Sequence, residues 1–245
     1  MYRIVLLLLF LTSAACLRAW DDEWQTSVDI GYTSRRVFRG VGRAGSSAET
    51  ALGLKRAGFR GGVRLYEPFA GGDPGEAELS AGYAFKPTGQ LTIEAVATQF
   101  LFFATPTGAT KRSTEAGVVA GWALREGLAS SLAYYRDFRL KADTVQATLA
   151  YEVPLTKLGA YLELSFYGGW RQADDVRPDA ASPRVRDAYT YWGAAARLPY
   201  RVGEHTTLAM GADLAGSANQ TPVWAPNGRG GGTRGWVSLA VSFDF

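Results

Sequence analysis

The residue types that most often carry catalysis are sparse in this sequence of 245 residues. His205 is the only histidine and Cys16 is the only cysteine. A serine or zinc hydrolase would need the histidine as its base or as a metal ligand, together with further polar partners. The lone His205 argues against such a site, so we predict that the protein is not an enzyme and assign no catalytic residue.

Two other motifs could bind a cofactor or a metal ion. The stretch Gly40-Val41-Gly42-Arg43-Ala44-Gly45 matches the dinucleotide fingerprint, but a strand follows it where the fingerprint needs a helix N-terminus. We interpret it as a flexible hairpin loop. Asp174, Asp175 and Asp179 could bind calcium, but several arginines crowd them, which favours a solvated loop. No cofactor and no metal site are predicted.

A third set consists of charged residues that occupy alternate positions in short segments. In each segment the opposite face is apolar, so these charges are expected to line one enclosed, polar space. Such a lining can sort small solutes by charge, or its members can pair with one another and fill the space. The predicted pore-lining residues are Asp29, Arg60, Arg64, Glu78, Glu94, Glu115, Glu152, Glu163, Arg197 and Asp213.

The segment Gly235–Phe245 shows what kind of element holds these residues. Its apolar residues alternate strictly with small or polar ones, which is the period of a strand. A tilted strand of about ten residues crosses a bilayer in an outer-membrane barrel. We expect this strand to pair with the first strand, since an open edge would leave backbone groups unpaired in lipid. Val241, Phe243 and Phe245 are the predicted barrel-closing signal, read by the barrel-insertion machinery.

Similar alternating segments recur along the chain, and we predict about twelve of them, an even number as bacterial barrels require. The fold class is therefore an all-β, transmembrane, antiparallel up-and-down β-barrel. Short and long connections alternate, which places both termini on the periplasmic side. The segments are 24–38, 47–55, 59–66, 76–85, 90–103, 113–124, 127–138, 143–153, 160–170, 187–198, 205–215 and 235–245.

The first residues have the pattern of an export signal. Arg3 precedes an apolar run from Ile4 to Leu11, and small residues follow it. We predict a signal peptide over residues 1–19 and a barrel over residues 20–245. Cys16 is either part of this signal or the acylated cysteine of a lipoprotein, and the first reading is favoured.

Composition excludes several classes of protein. The net charge of +3 is modest and no basic run is present, so nucleic acid is not an expected partner. After the signal no apolar stretch approaches the length of a membrane-spanning helix. Aromatic residues reach 13% and cluster near segment ends, as in the interfacial girdles of outer-membrane barrels.

Two stretches carry a resemblance to a known family. Residues 31–41, Gly-Tyr-Thr-Ser-Arg-Arg-Val-Phe-Arg-Gly-Val, and residues 78–83, Glu-Leu-Ser-Ala-Gly-Tyr, resemble the opening strands of the TorF-type outer-membrane porin family. The resemblance implies an outer-membrane channel without catalytic residues.

These patterns predict a channel of the bacterial outer membrane for passive diffusion of small hydrophilic solutes. Its partners would be outer-membrane lipid, the barrel-insertion machinery and the solute. An occluded structural or adhesive barrel that acts through its extracellular loops remains the alternative, because the sequence does not decide whether the lumen is open.

Overall fold

The computed structural model describes residues 24–103, 111–176, 185–218 and 232–245. The predicted signal peptide, Cys16 and Asp179 lie outside these residues, as does the side chain of Asp175. Within the described ranges, no helix is long and apolar enough to cross a membrane.

Fourteen strands and one short 3₁₀ turn, Thr156–Leu158, occur in the described residues. The strands are β1 Gln25–Thr33, β2 Arg36–Phe38, β3 Val41–Ala44, β4 Ser47–Arg56, β5 Phe59–Pro68, β6 Gly75–Phe85, β7 Leu91–Phe103, β8 Arg112–Arg125, β9 Leu128–Asp137, β10 Ala142–Leu155, β11 Ala160–Val176, β12 Val185–Arg201, β13 Thr206–Ser217 and β14 Gly232–Asp244.

Twelve of these strands close into one antiparallel barrel in the described part of the chain. Each pairs with its neighbour in sequence, apart from β2 and β3, and β14 pairs with β1 to complete the ring. In that seam Val28 lies opposite Phe243 and Ile30 opposite Val241. The seam leaves no unpaired strand edge, so the predicted closed, up-and-down barrel is confirmed.

The register separates two faces of the wall. On β10, Leu149 is 46% exposed on the outside of the barrel, whereas Thr144 on the inside is fully buried. Large apolar side chains are exposed on the outer face of nearly every strand, Phe166 and Val237 among them. A soluble protein would not expose such a continuous apolar surface, whereas a barrel in lipid requires one.

The two ends of the barrel differ, and we call them the turn end and the loop end. The turn end carries short connections, such as Ala57-Gly58, where both residues have positive φ as a two-residue hairpin turn requires. The loop end carries the longer connections. β11 and β12, with 17 residues each, are the longest strands.

One prediction about strand bounds is wrong. The segment 24–38 was expected to be one strand, but β1 ends at Thr33 and the chain then leaves the wall. Residues 36–44 form a separate two-stranded sheet, β2 paired with β3, which belongs to the first connection of the loop end. We call residues 34–46 the inward hairpin, because they fold into the barrel interior.

Candidate functional site

The ten charged residues expected to face the lumen all lie on the inner face of the wall in the observed register. Arg64 is opposite Glu78 across β5 and β6, for example, and Glu163 is opposite both Glu152 and Arg197. Inner and outer residues alternate along every strand, and the outer positions are those with exposed apolar side chains.

The structure brings only some of these ten residues together. Arg60 forms an ion pair with Glu94, and Arg197 lies 3.9 Å from Asp213. Arg64 pairs with Glu49 at 3.1 Å, a residue that sequence analysis did not select. Asp29, Glu152 and Glu163 form no ion pair within the described residues, and Glu78 and Glu115 are bound by the inward hairpin.

The inward hairpin turns at Arg39 and Gly40, which both have positive φ. This two-residue turn matches the twist of the flanking strands. A Cβ added at Gly40 would lie 2.4 Å from the carbonyl oxygen of Gly216 and 2.8 Å from the Cβ of Tyr191. Glycine is therefore required both by the backbone conformation and by the close approach to β12 and β13.

Two arginines fix the hairpin to one side of the barrel. The Arg36 guanidinium donates to Glu78 at 2.5 Å and lies 3.7 Å from Glu76. Arg43 lies 3.5 Å from the other oxygen of Glu76. The guanidinium of Arg36 also stacks over the ring of Tyr66, 3.8 Å from its centroid. These charged contacts are shielded from solvent, which makes each of them stronger than an exposed pair.

The tip of the hairpin reaches the far wall. Arg39 donates two hydrogen bonds to the carboxylate of Glu115 on β8, at 2.7 and 2.8 Å. It also stacks over Tyr135, on the strand six positions round the ring from β1. Next to the turn, Val41 is completely buried against Tyr189 and Tyr191 of β12. The hairpin thus spans the width of the barrel at its loop end.

The Arg39–Glu115 pair belongs to a buried charge network. Arg171 lies 3.7 Å from Glu115 and 3.5 Å from Asp137, and it donates to the hydroxyl of Thr144. Burial by itself lowers the pKa of Arg39, but the charge and hydrogen bonds of Glu115 outweigh it and raise this pKa above its ordinary value. The Arg39 guanidinium therefore keeps its charge in this buried contact.

The described residues do not fill the rest of the lumen. A cavity of about 420 Å³ lies beside the hairpin, between Arg36 and the wall of β1, β4, β5 and β11–β14, and we call it the hairpin-side cavity. A second cavity of about 780 Å³, the turn-end cavity, opens around Lys55, Arg201 and Asp244. Pro199 lines both, so the two cavities adjoin along one wall.

Small side chains explain the space on the other side of the turn end. Gly121, Ala129, Ser131, Thr148 and Ala150 line a further cavity of about 370 Å³ against β7–β10. Side chains of this size leave the middle of a twelve-stranded ring empty, because the strands alone hold the walls apart. Among the residues that the structure describes, the inward hairpin is therefore the element that narrows the lumen.

Sequence analysis missed the hairpin residues Arg36, Arg39 and Arg43. The glycine-rich stretch was predicted to be a flexible hairpin loop, and the structure does form a hairpin there, but it packs inside the barrel. A signal was available: three arginines in one short connection match the glutamates predicted on the loop-end half of β6 and β8.

The other candidate residues from the sequence lie away from the hairpin. His205 lies in the turn between β12 and β13, at the edge of the turn-end cavity. Asp174 pairs with Arg186 at 3.4 Å.

The fold is a closed, twelve-stranded antiparallel β-barrel with a charged, partly open interior. The solved structures that share this fold include three that are similar over most of both chains. KdgM porin in complex with disordered oligogalacturonate has a TM-score of 0.58 and 12% identity, over 89% of this chain and 99% of that chain. NanC porin has a TM-score of 0.56 and 13% identity, over 88% of this chain and 98% of that chain. An outer membrane channel from Pseudomonas putida F1 has a TM-score of 0.53 and 12% identity, over 91% of this chain and 95% of that chain.

At these identities the similarity establishes the fold. No protein-family model matches the chain, and no curated protein matches its sequence.

Proposed function

We propose that this chain is a channel of the bacterial outer membrane that lets small hydrophilic solutes diffuse passively past the inward hairpin. The observation that carries the proposal is the pair of adjoining cavities beside and below the hairpin, which are lined by charged groups. A barrel whose interior served only as a structural core would have this volume filled by side chains.

The outer face supports the location in a membrane. Exposed apolar residues surround the barrel, and the wall offers no open edge that would pair with another chain in water. KdgM porin and NanC porin share the fold, and KdgM porin is known in complex with disordered oligogalacturonate. An apolar outer wall and a charged interior together suit a passive route for a hydrophilic solute across a membrane.

We also propose a family relationship, an assembly element and a non-catalytic role for this chain. The Phe38-Arg39-Gly40 turn that carries the resemblance to the TorF-type outer-membrane porin family is the turn of the inward hairpin, so we propose kinship with that family. The β14–β1 seam, with Phe243 on its lipid face, would be the element that the barrel-insertion machinery engages. We also propose that the role is non-catalytic, because His205 is the only histidine of the sequence and the motifs point to no catalytic site around it.

An occluded barrel that acts through its loops is the second candidate. The observation in its favour is the docked tip of the hairpin, with Val41 completely buried against β12. Single-channel recording of the refolded protein in a planar bilayer distinguishes the two. Discrete conductance steps, smaller than those of sixteen-stranded porins because twelve strands enclose less space, support the channel. A bilayer that stays silent across voltages, with protein correctly folded by its heat-dependent gel shift, refutes it.

A further inference from the structure

The passage beside the hairpin carries charges of both signs. In the described part of the chain, the carboxylates that line the hairpin-side cavity are Asp29, Glu49, Glu163 and Asp213. The guanidinium groups that line it are Arg35, Arg36, Arg64 and Arg197. The turn-end cavity is lined by both signs as well, with Lys55 and Arg201 beside Glu204 and Asp244. Both stages of the path therefore present positive and negative groups close together.

Several of these charges are not neutralised by a protein partner. Asp29 and Glu163 form no ion pair within the residues that the structure describes. Arg197 is 3.9 Å from Asp213, beyond hydrogen-bond distance, and its side chain is 59% exposed to the cavity. Arg64 pairs with Glu49, but its side chain is still 46% exposed. The wall thus offers free carboxylates and accessible guanidinium groups in the same small volume.

We propose that the hairpin-side cavity selects zwitterionic solutes, which carry an ammonium and a carboxylate group in one small molecule. This inference rests on the proposed channel and names its substrate class. A cation or an anion alone gains contact with one sign of charge and meets repulsion from the other, so neither is enriched. A neutral solute of equal size must displace water from both kinds of charge without replacing their interactions. A zwitterion satisfies both at once.

The ion pairs available to the solute are exposed, which suits transport. Exposed pairs are weak, and a solute that binds weakly can leave the cavity as easily as it enters. We therefore expect a flux advantage of about two- to fivefold for the zwitterion, the ratio that one exposed ion pair supplies.

The test uses the full-length protein, refolded into liposomes and planar bilayers. Liposome swelling compares glycylglycine, a zwitterion at neutral pH, with N-acetylglycinamide, a neutral molecule of similar size. In the bilayer, the reversal potential in a KCl gradient gives the cation-to-anion permeability ratio, which we expect within about a factor of two of one. Arg197→Gln should shift this ratio toward cations and Asp213→Asn toward anions.

The double variant Arg197→Gln with Asp213→Asn is the matched control. It restores the balance of charge, so its permeability ratio should return close to that of the wild type, but its preference for glycylglycine should fall. The refolded variants are compared at equal conductance, which excludes effects of misfolding. Equal swelling rates for the two probes in the wild type, or an unchanged preference in the double variant, overturn the inference. An open channel with strong selectivity for cations or for anions also overturns the inference. A bilayer that stays silent refutes the proposed channel function instead.

Discussion

The contact between Arg39 and Glu115 is expected to set how much of the lumen is open. Replacing Glu115 by Gln leaves the guanidinium of Arg39 buried against a neutral partner. Side-chain exposures of 8% for Arg39 and 6% for Glu115 place this pair in the range where removing one partner costs about 3 to 5 kcal/mol. Arg171 also loses a carboxylate 3.7 Å away, but it keeps its contact with Asp137 at 3.5 Å, so the loss falls mainly on Arg39.

This free energy acts on the hairpin rather than on the wall, because the β-barrel hydrogen bonds do not involve either side chain. A loss of about 3 kcal/mol changes the ratio of docked to undocked hairpin about 100-fold. The remaining anchors are Arg36, Arg43 and the burial of Val41, which contributes about 1.5 kcal/mol. We therefore expect Glu115→Gln to populate a second, larger conductance level that is rare in the wild type.

The assay is single-channel recording, with the fraction of time in the larger level as the readout. The double variant Arg39→Gln with Glu115→Gln removes both charges, so it should show less of the larger level than Glu115→Gln alone. Arg60→Gln is a control, because it breaks the lumenal pair with Glu94 without touching the hairpin. The reasoning is refuted if Glu115→Gln and Arg60→Gln give the same distribution of levels.

Three further changes probe the hairpin turn, the wall and the seam. Gly40→Ala places a methyl group against the carbonyl oxygen of Gly216, so it should displace the hairpin and increase conductance in the same recordings. Leu149→Arg should lower the free energy of unfolding in lipid vesicles by about 2 to 4 kcal/mol in a urea titration, and Thr148→Arg by much less. Replacing Phe243 and Phe245 together by Ser should reduce the amount of barrel recovered in the outer-membrane fraction without reducing export, since it weakens the lipid face of the β14–β1 seam.

Each of these has its own control or contradicting outcome. Gly72→Ala is the control for Gly40→Ala. Gly72 also has a positive φ, but nothing lies within 4 Å of a Cβ added there, so this variant should leave conductance unchanged. Equal losses of stability at positions 148 and 149 would contradict the assigned facing of β10. Normal outer-membrane levels of the double serine variant would show that the seam tolerates polar residues.

The wall of the barrel could be predicted from the sequence because one physical rule governs it. Lipid on one side and water on the other impose a period of two on every strand, so Leu149 and Thr148 reveal their faces without any knowledge of tertiary contacts. The alternation recovered all twelve wall strands, and most of their bounds agree within a few residues. Charges at alternate positions, such as Arg64 and Glu78, were placed on the inner face for the same reason.

The inward hairpin could not be predicted in this way. Arg36 and Phe38 alternate as strand residues do, so the pattern continued past the true end of β1 at Thr33. What turns this segment into the lumen is its contact with Glu78 and Glu115, and such contacts between distant positions leave no periodic trace. Glycine at position 40 is compatible with a flexible loop as well as with the tight, buried turn that the structure shows.

The distance along the chain between the hairpin and its partners has a consequence for assembly. Arg36 bonds to a residue 42 positions further along the chain, and Arg39 to a residue 76 positions further along. Tyr189 and Gly216, against which the tip packs, come later still. Closing loops of this length is entropically costly, so contacts between distant segments form late unless other structure has already brought them together. The tip of the hairpin reaches its place only when β12 and β13 are present to receive it. The first connection of the chain therefore takes its final position only after much later strands of the wall have formed.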